Sequence, residues 1–179
     1  IESLNAHGKA GVVVPHGVLF RGAAEGRIRT EILNEDILEA VVGLPSNLFF
    51  GTGIPAAIII FNREKKNKEK VLFIDASKDF VAGKNQNSLG ENHINHIVDV
   101  FTDFHDNQKD AGIVEDKFAY IATFEEIKEN DYNLNIPRYV DTYEEEAEID
   151  LTEVQQKIEQ LQSELAEVQK QMDEYLKLF

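Results

Sequence analysis

The run Ile54–Phe61 constrains the fold of this chain more than any other feature of its sequence. All eight residues are apolar, so the run lacks the alternation that a strand with one solvent-exposed face would have. It therefore predicts a central β-strand that is covered on both faces. Three further apolar runs, Gly11–Pro15, Ile37–Leu44 and Val71–Ile74, predict other strands of the sheet, and the first of them is expected to be buried.

Two other segments have the spacing of amphipathic helices. The first is Gly22–Asn34, in which Ala24, Ile28 and Ile32 recur at four-residue steps and predict one apolar face. The second is Glu91–Asn107, whose apolar residues recur at steps of three and four. The predicted order of strand, helix, strand, loop, strand, turn and strand, followed by a helix that covers the sheet, is typical of an α/β domain.

Local signals define the connections. Glu64–Lys70 is predicted to be a solvated charged turn. Thr123–Glu126 has the spacing of a capping box, so a short helix should begin there and end near Asn130. The segment Asp131–Asp141 is predicted to be extended, because Pro137 disfavours helical backbone at the residue before it.

The tail of the chain has the strongest periodicity. Apolar residues alternate at steps of three and four over four heptads, which predicts a long helix with the narrow apolar seam of a coiled coil. The seam consists of Leu151, Val154, Ile158, Leu161, Leu165, Val168, Met172, Tyr175 and Phe179. Such a stripe needs a partner helix, so we expect either an intermolecular coiled coil or packing against the rest of the chain. The sequence thus divides into residues 1–143, an α/β part, and residues 144–179, an acidic linker and helix.

The charge of the chain limits what it can bind. Of a formal net charge of −15 over 179 residues, −8 lies in residues 144–179. Attraction to phosphates needs clustered Lys and Arg, so this charge excludes autonomous DNA binding. The absence of Cys excludes disulfides and thiolate chemistry, and a reducing cytosol is the simplest compartment. No apolar run approaches the roughly 20 residues that cross a bilayer, so no membrane association is expected.

Taken alone, the residues do not define an enzyme. Gly51–Gly53 lies between two predicted strands and does not open a helix, as the glycines of a dinucleotide-binding turn must. His93 and His96 have i,i+3 spacing on a predicted helix, but no third ligand accompanies them, so two solvated histidines are favoured over a metal site. No catalytic residue is assigned, and the sequence has the appearance of a piece of a longer protein.

Five sequence motifs in a fixed order carry a resemblance that covers essentially the whole chain. They are Lys9–Arg21, Glu25–Arg29, Val42–Pro55, Ile74–Ser77 and Asn133–Asp141. As a set they resemble the modification (M) subunit of type I restriction-modification systems, a family of DNA adenine methyltransferases. The resemblance implies methyl transfer from S-adenosylmethionine to the exocyclic amino group of adenine, in a bipartite DNA site.

The resemblance also implies that this chain is the C-terminal portion of a Rossmann-like methyltransferase sheet followed by a coiled-coil-type helix. The run Gly11–Val14 would match the family's fifth strand. The two strands joined by Pro45–Gly53 would match its last hairpin, whose final strand is inserted antiparallel. The family's cofactor loop and Asn-Pro-Pro-aromatic motif do not occur in these residues. S-adenosylmethionine is therefore expected to bind the parent enzyme and not this fragment, which should be inactive alone.

Candidate substrate-binding residues follow from the same resemblance. Phe49 or Phe50, in the loop of the last hairpin, could stack on an extruded adenine, although at least one ring is expected to pack in the core. Pro15 and His16 lie at the carboxyl end of a predicted strand, where ligands bind in open α/β sheets, and His16 could equally cap the strand. Arg138 could contact DNA or a neighbouring subunit, or form a structural ion pair.

A basic cluster at the predicted first helix has two alternative interpretations. Arg21, Arg27 and Arg29 could contact phosphates, or Arg21 and Arg29 could instead pair with Glu25.

The resemblance implies several partners. In the family, two M subunits flank one specificity (S) subunit, and a restriction (R) subunit completes the complex, through which DNA is bound. The helical seam would dock on the S subunit. Because the fragment begins at the fifth strand, its unpaired sheet edge predicts self-association. The alternative is a non-catalytic assembly module that binds a partner through its C-terminal helix.

Overall fold

The computed structural model describes residues 4–143 and a helix at 151–176. The strands are β1 (Lys9–Pro15), β2 (Leu38–Gly43), β3 (Ala56–Asn62), β4 (Lys70–Asp75), β5 (Gly112–Glu115) and β6 (Ala119–Thr123). The α-helices are α1 (Ala23–Asn34), α2 (Glu91–Asp106), α3 (Phe124–Glu129) and α4 (Leu151–Leu176), and His16–Leu19 and Ile136–Arg138 form 3₁₀ turns. The chain divides into two units, residues 1–143 and 144–179, and each is described by itself.

One mixed sheet has the strand order β1-β3-β2-β4-β6-β5. Strand β3 is antiparallel to both of its neighbours, β1 and β2, and β2 is parallel to β4. Consequently β1, β2 and β4 run in one direction and end at the same side of the sheet. We call that side, where Pro15, Gly43 and Asp75 lie, the carboxyl edge, and the opposite side the amino edge.

The central strand is where the sequence predicts it. Strand β3 lies between β1 and β2, although it begins at Ala56, and Ile54 is exposed in the preceding loop. Every residue of β2 is buried. The expectation of a buried β1 is wrong, because β1 is the outermost strand and Val13 is 55% exposed. The run Gly11–Pro15 contains no polar residue, so its composition did not distinguish an edge strand from an internal one.

Two apolar clusters cover the two faces of the sheet. On one face, Leu33 of α1 and Ile127 of α3 pack with Phe73, whose ring stacks on Tyr139 with centroids 4.0 Å apart. On the other face, Phe104 of α2 packs with residues of β4 and β6 that include Ile74. The predicted helices α2 and α3 are confirmed, and Thr123 caps α3 by accepting a hydrogen bond from the Glu126 amide.

Helix α1 is present, but the predicted apolar face is only partly correct. Ile32 packs against the core, whereas Ile28 is exposed and the buried residues are Arg29 and Leu33. Arg29 donates hydrogen bonds to the carbonyls of Val18, at 2.7 Å, and Tyr132, at 3.2 Å. These bonds turn the arginine toward the protein, which a pattern of apolar residues cannot indicate.

The segment after α3 departs from the predicted extended conformation. Ile136–Arg138 forms a 3₁₀ turn with Pro137 in its first turn. Side chains two residues apart diverge in such a turn, so Ile136 is buried whereas Arg138 is exposed. The β5–β6 hairpin was not predicted either.

The amino edge carries a buried polar network, so the prediction of a solvated turn at Glu64–Lys70 is only partly correct: Glu64, Lys66 and Lys68 are exposed, but Lys65 and Asn67 are buried. Lys65, only 3% exposed, donates to the carbonyls of Leu38 and Lys70, each at 3.0 Å, and pairs with Asp36. Asn67 is also buried and donates to the carbonyl of Phe104.

Strand β2 contributes a buried carboxylate to the same edge. Glu39 accepts hydrogen bonds at one oxygen from Asn62, at 3.1 Å, and from the ring of His105, at 2.7 Å. Its other oxygen has no partner among the residues that the structure describes. The network ties β2, β3 and the end of α2 together.

The tail contains the predicted long helix, α4, of 26 residues. Five seam side chains are 50–60% exposed: Ile158, Leu161, Leu165, Val168 and Met172. The side chains of Leu151, Val154, Tyr175 and Phe179 lie outside the described part of the chain. None of the described helices is long and apolar enough to cross a membrane.

Candidate functional site

The carboxyl edge brings together most of the candidate substrate-binding residues that the sequence analysis predicts. Strand β1 ends there at Pro15, β2 ends at Gly43 and β4 ends at Asp75. The loop of residues 44–55 joins β2 to β3 at the same edge. Open α/β sheets bind ligands at the carboxyl ends of their parallel strands, so this edge is the candidate site.

The loop between β2 and β3 presents two aromatic rings to solvent. Phe50 is 90% exposed and Phe49 is 45% exposed, so the expectation that at least one of them packs in the core is wrong. Leu48 takes that role, since it packs against the apolar cluster under the loop. Gly51 follows with a φ of +76°, a left-handed conformation that glycine adopts without strain.

A neighbouring segment fixes the base of this loop. Asn87 donates its amide hydrogen to the carbonyl of Asn47, at 2.8 Å, and its side chain donates to the carbonyl of Ser46, at 3.0 Å. Gln86 donates to the carbonyl of Leu48. The hydrogen bonds hold the backbone on one side and leave the Phe49 and Phe50 rings on the other.

His16 follows β1 directly and begins a 3₁₀ turn, and its amide donates to the carbonyl of Pro55, at 3.4 Å. Its ring lies beside the glycine that ends β2, Gly43, and Nε2 has no hydrogen-bond partner among the described residues. Burial lowers the pKa of His16, while the charge of Asp75 and the backbone of Ala56 oppose that shift. A neutral imidazole with a free nitrogen therefore lies beneath the edge.

Three predicted arginines have different surroundings. Arg21 lies 3.9 Å from Glu25, as one of the two alternatives has it. Arg29 is 6% exposed and bonds the two carbonyls described above, so it makes no pair with Glu25 at hydrogen-bonding distance. Arg138 donates to the side-chain oxygen of Asn130, at 3.3 Å, and forms no ion pair within the described residues.

A pocket of about 550 Å³ brings together residues from two of the five sequence motifs. It is lined by Arg27 and Arg29, from the motif Glu25–Arg29, and by Asn133 and Arg138, from the motif Asn133–Asp141. The sequence named the arginines but not their convergence. Residues about 100 positions apart meet only through the packing of α1 against the segment after α3.

The two helical histidines are structural. His93 accepts a hydrogen bond from the Gly90 amide at the start of α2. His96 stacks on Phe118, with ring centroids 3.9 Å apart, and bonds Glu115 at 3.0 Å. The hydrogen bond to Glu115 raises the pKa of His96, and Asp79 adds to the shift. They are therefore not two solvated histidines, and the described residues contain no cluster of three potential metal ligands.

Comparison with solved structures defines the class: a mixed α/β sheet of the kind found in type I methyltransferase subunits. The type I restriction-modification methyltransferase subunit from Streptococcus thermophilus superposes with a TM-score of 0.67 at 51% identity, over 76% of this chain and 27% of that one. The EcoKI M protein superposes with a TM-score of 0.62 at 18% identity, over 96% of this chain and 42% of that one, which supports the fold alone.

Sequence comparison gives the family. The N-6 DNA methylase model matches residues 1–148, so the chain belongs to the N-6 DNA methylase family. The type I restriction enzyme MjaVIII methylase subunit of Methanocaldococcus jannaschii is 38% identical over 89% of this chain. The MpnII methylase subunit of Mycoplasma pneumoniae is 32% identical over 88%. The chain spans about a quarter of the length of these relatives, 27% and 28%.

Proposed function

We propose that this chain is the C-terminal part of the methylase subunit of a type I restriction-modification system. The whole subunit would methylate the exocyclic amino group of adenine in DNA with S-adenosylmethionine as donor. The observation that carries the proposal is the order β1-β3-β2, with an antiparallel strand inserted between two strands that run in one direction. This is the arrangement that the resemblance implies for the last three strands of the methyltransferase sheet.

In this proposal the exposed rings of Phe49 and Phe50 contact the target adenine after it leaves the DNA helix. An enzyme that modifies a base must take it out of the stack and hold it, and aromatic stacking is one means. Phe50 is better placed by its exposure, and the anchored backbone of residues 46–48 limits the entropy lost on binding.

Substitution of these rings tests the adenine contact. In the full-length subunit with its partners, we expect Phe50→Ala to lower kcat/KM for methylation about tenfold, given the 1–3 kcal/mol that a base–aromatic stack contributes. Phe80→Ala, which removes a partly exposed ring from another loop, is the matched control. Equal activity of the Phe49→Ala, Phe50→Ala and control variants would contradict the proposed contact.

The described residues do not fit a complete cofactor site. The glycine pair Gly51 and Gly53 lies in a loop between antiparallel strands, whereas a nucleotide-binding glycine loop opens a helix after a parallel strand. We therefore assign S-adenosylmethionine to parts of the parent enzyme outside this chain. Isothermal titration of the 179-residue chain with the cofactor should give no binding isotherm, and a clear isotherm would show that the cofactor site is misplaced.

Helix α4 is proposed to dock on the helical spacers of the S subunit. The exposed side chains of its seam repeat at the three- and four-residue steps that pack a coiled coil. Replacing Leu161 and Leu165 with Asp should abolish co-purification with the S subunit and leave the α/β unit folded. Gln156→Asp with Gln160→Asp adds the same charge to exposed positions on the face away from the seam and should have little effect. Retention of the S subunit by the seam variant would refute the assignment.

The outer edge of β1 is proposed to pair with preceding strands of the parent sheet. No strand among the described residues occupies it, and free backbone groups on an edge invite pairing with another chain. The 179-residue chain alone should therefore self-associate. A monomer in light scattering would show that the edge is covered in another way.

The R subunit and DNA complete the proposed assembly. The net charge of −15 indicates that contacts with DNA depend on the full complex and on local basic sites.

A further inference from the structure

We propose that the pocket between α1 and the Ile136–Arg138 turn holds a phosphate of the DNA backbone through Arg27 and Arg138. The inference rests on the proposed function, since it takes DNA as the substrate. It concerns a different part of the molecule from the aromatic loop, and it assigns positioning of the DNA rather than recognition of the base.

Electrostatics supports an anionic ligand. Arg29 is 94% buried, and its Nε and Nη1 atoms donate to backbone carbonyls, whereas Nη2 donates to none of the residues that the structure describes. That nitrogen lies on the side of Gly26, which lines the pocket. Buried charges in proteins are normally paired, but the hydrogen bonds of Arg29 all go to neutral carbonyls. The charge of Glu25 acts on the guanidinium without an ion pair at hydrogen-bonding distance, so a positive charge remains beside the cavity.

The two outer arginines have donors to spare. The side chain of Arg27 is exposed and makes no hydrogen bond or ion pair with another of residues 4–143. Arg138 has one neutral partner, the amide oxygen of Asn130. Guanidinium groups bind phosphate oxygens in bidentate geometry, and both of these line the same cavity. Glu31 and Asp131 also line it and oppose an anion, so binding of a phosphodiester would depend on the three arginines.

The position of the pocket favours a DNA phosphate. Helix α1 begins shortly after β1 ends, and Ile136, in the same turn as Arg138, packs against Gly43 at the end of β2. The Ile136–Arg138 turn beside the pocket therefore lies near the end of β2, at the carboxyl edge. A backbone contact there would fix the register of the duplex beside the extruded base, as phosphate contacts do in other DNA complexes.

The test measures DNA affinity of the full-length subunit, assembled with its partners, against salt concentration. Loss of one phosphate contact reduces the slope of log K against log salt by about 0.9. We expect the double variant Arg27→Ala, Arg138→Ala to lose about 0.9 of the slope and ten- to hundredfold in affinity at low salt, as expected for charge-assisted hydrogen bonds. The loss should be equal on target and non-target duplexes, because phosphates carry no sequence information.

Arg21→Ala is the control, since it removes a nearby arginine that pairs with Glu25 and does not line the pocket, although it removes one positive charge where the double variant removes two. Three results would each overturn the inference: an unchanged slope in the double variant, a loss confined to target DNA, or an equal loss in the control. With any of them, methylation by the unmodified enzyme would still support the proposed function. If the unmodified assembly neither bound nor methylated DNA, the proposed function itself would fail, and the inference with it.

Discussion

The two edges of the sheet use polar and aromatic residues in opposite ways. At the amino edge, Lys65 and Asn67 are buried and their side chains bond backbone carbonyls. At the carboxyl edge, Phe50 and Arg138 are exposed, and the ring of His16 retains a nitrogen without a partner among the described residues. The amino edge buries these side chains in hydrogen bonds that serve stability, although Oε2 of Glu39 there has no partner among the described residues, whereas the carboxyl edge exposes aromatic and cationic groups that a ligand would contact.

The strongest way to break this comparison is to remove a buried cation from the amino edge. Lys65→Ala leaves two carbonyls and Asp36 without their buried partner, and we expect the free energy of unfolding to fall by about 3 kcal/mol. Urea denaturation of the chain measures the change. Lys66→Ala removes a neighbouring lysine whose pair with Asp106 is exposed, so it should cost less than about 1 kcal/mol. Similar losses for both variants would mean that the buried bonds of Lys65 do not stabilise the amino edge more than an exposed pair does.

Titration of two histidines sharpens the comparison with a smaller effect. The pKa of His16 should lie below its ordinary value of 6.5 and that of His96 above it. The neutral form of His16 is favoured in the fold, so its contribution to stability is complete above pH 6.5 and is lost as the pH falls. His96 has the opposite sign, because its charged form is favoured: its contribution is complete below pH 6.5 and is lost as the pH rises through its raised pKa.

Nuclear magnetic resonance of the ring protons measures both values. Asp75→Asn should lower the pKa of His16 further, since the carboxylate opposes the effect of burial. If the pKa of His16 were at or above 6.5, or insensitive to this substitution, its ring would not be buried at the carboxyl edge.

The smallest effect on stability is expected at the aromatic loop. Phe50→Ala removes a ring that is almost wholly in solvent, so the free energy of unfolding should change by no more than about 0.5 kcal/mol. Phe73→Ala, in the core beside Tyr139, should instead cost about 3–5 kcal/mol. Destabilisation by Phe50→Ala comparable to that of Phe73→Ala would show that the ring supports the fold and is not held for a ligand.

Three features could be predicted from the sequence: the succession of β1 to β4 along the chain, the central position of β3 and the long helix α4. Continuous apolar runs and heptad spacing indicate such elements whatever tertiary contacts surround them. The β5–β6 hairpin could not, since β5 is four residues long and exposed, and carries no clear periodicity. The buried face of α1 was missed because hydrogen bonds to carbonyls, rather than apolarity, bury Arg29.

The same limits apply to the candidate site. Because they follow predicted strands, His16 and the aromatic loop were expected at the carboxyl ends of those strands, and the structure places them there. Exposure of Phe49 and Phe50 depends on Leu48 filling the core beneath the loop, and two adjacent aromatics do not reveal which neighbour does so. The meeting of Arg27 with Arg138 depends on long-range packing, which spacing along one sequence does not encode.

The most direct test of the central claim uses a target duplex with 2-aminopurine in place of the methylated adenine, bound to the full-length subunit with its partners. An extruded base that stacks on an aromatic ring should have quenched fluorescence, so the double variant Phe49→Ala, Phe50→Ala should give a brighter complex than the unmodified enzyme at equal DNA occupancy. Equal fluorescence of the two complexes would contradict the account, because the open carboxyl edge would then not receive the base.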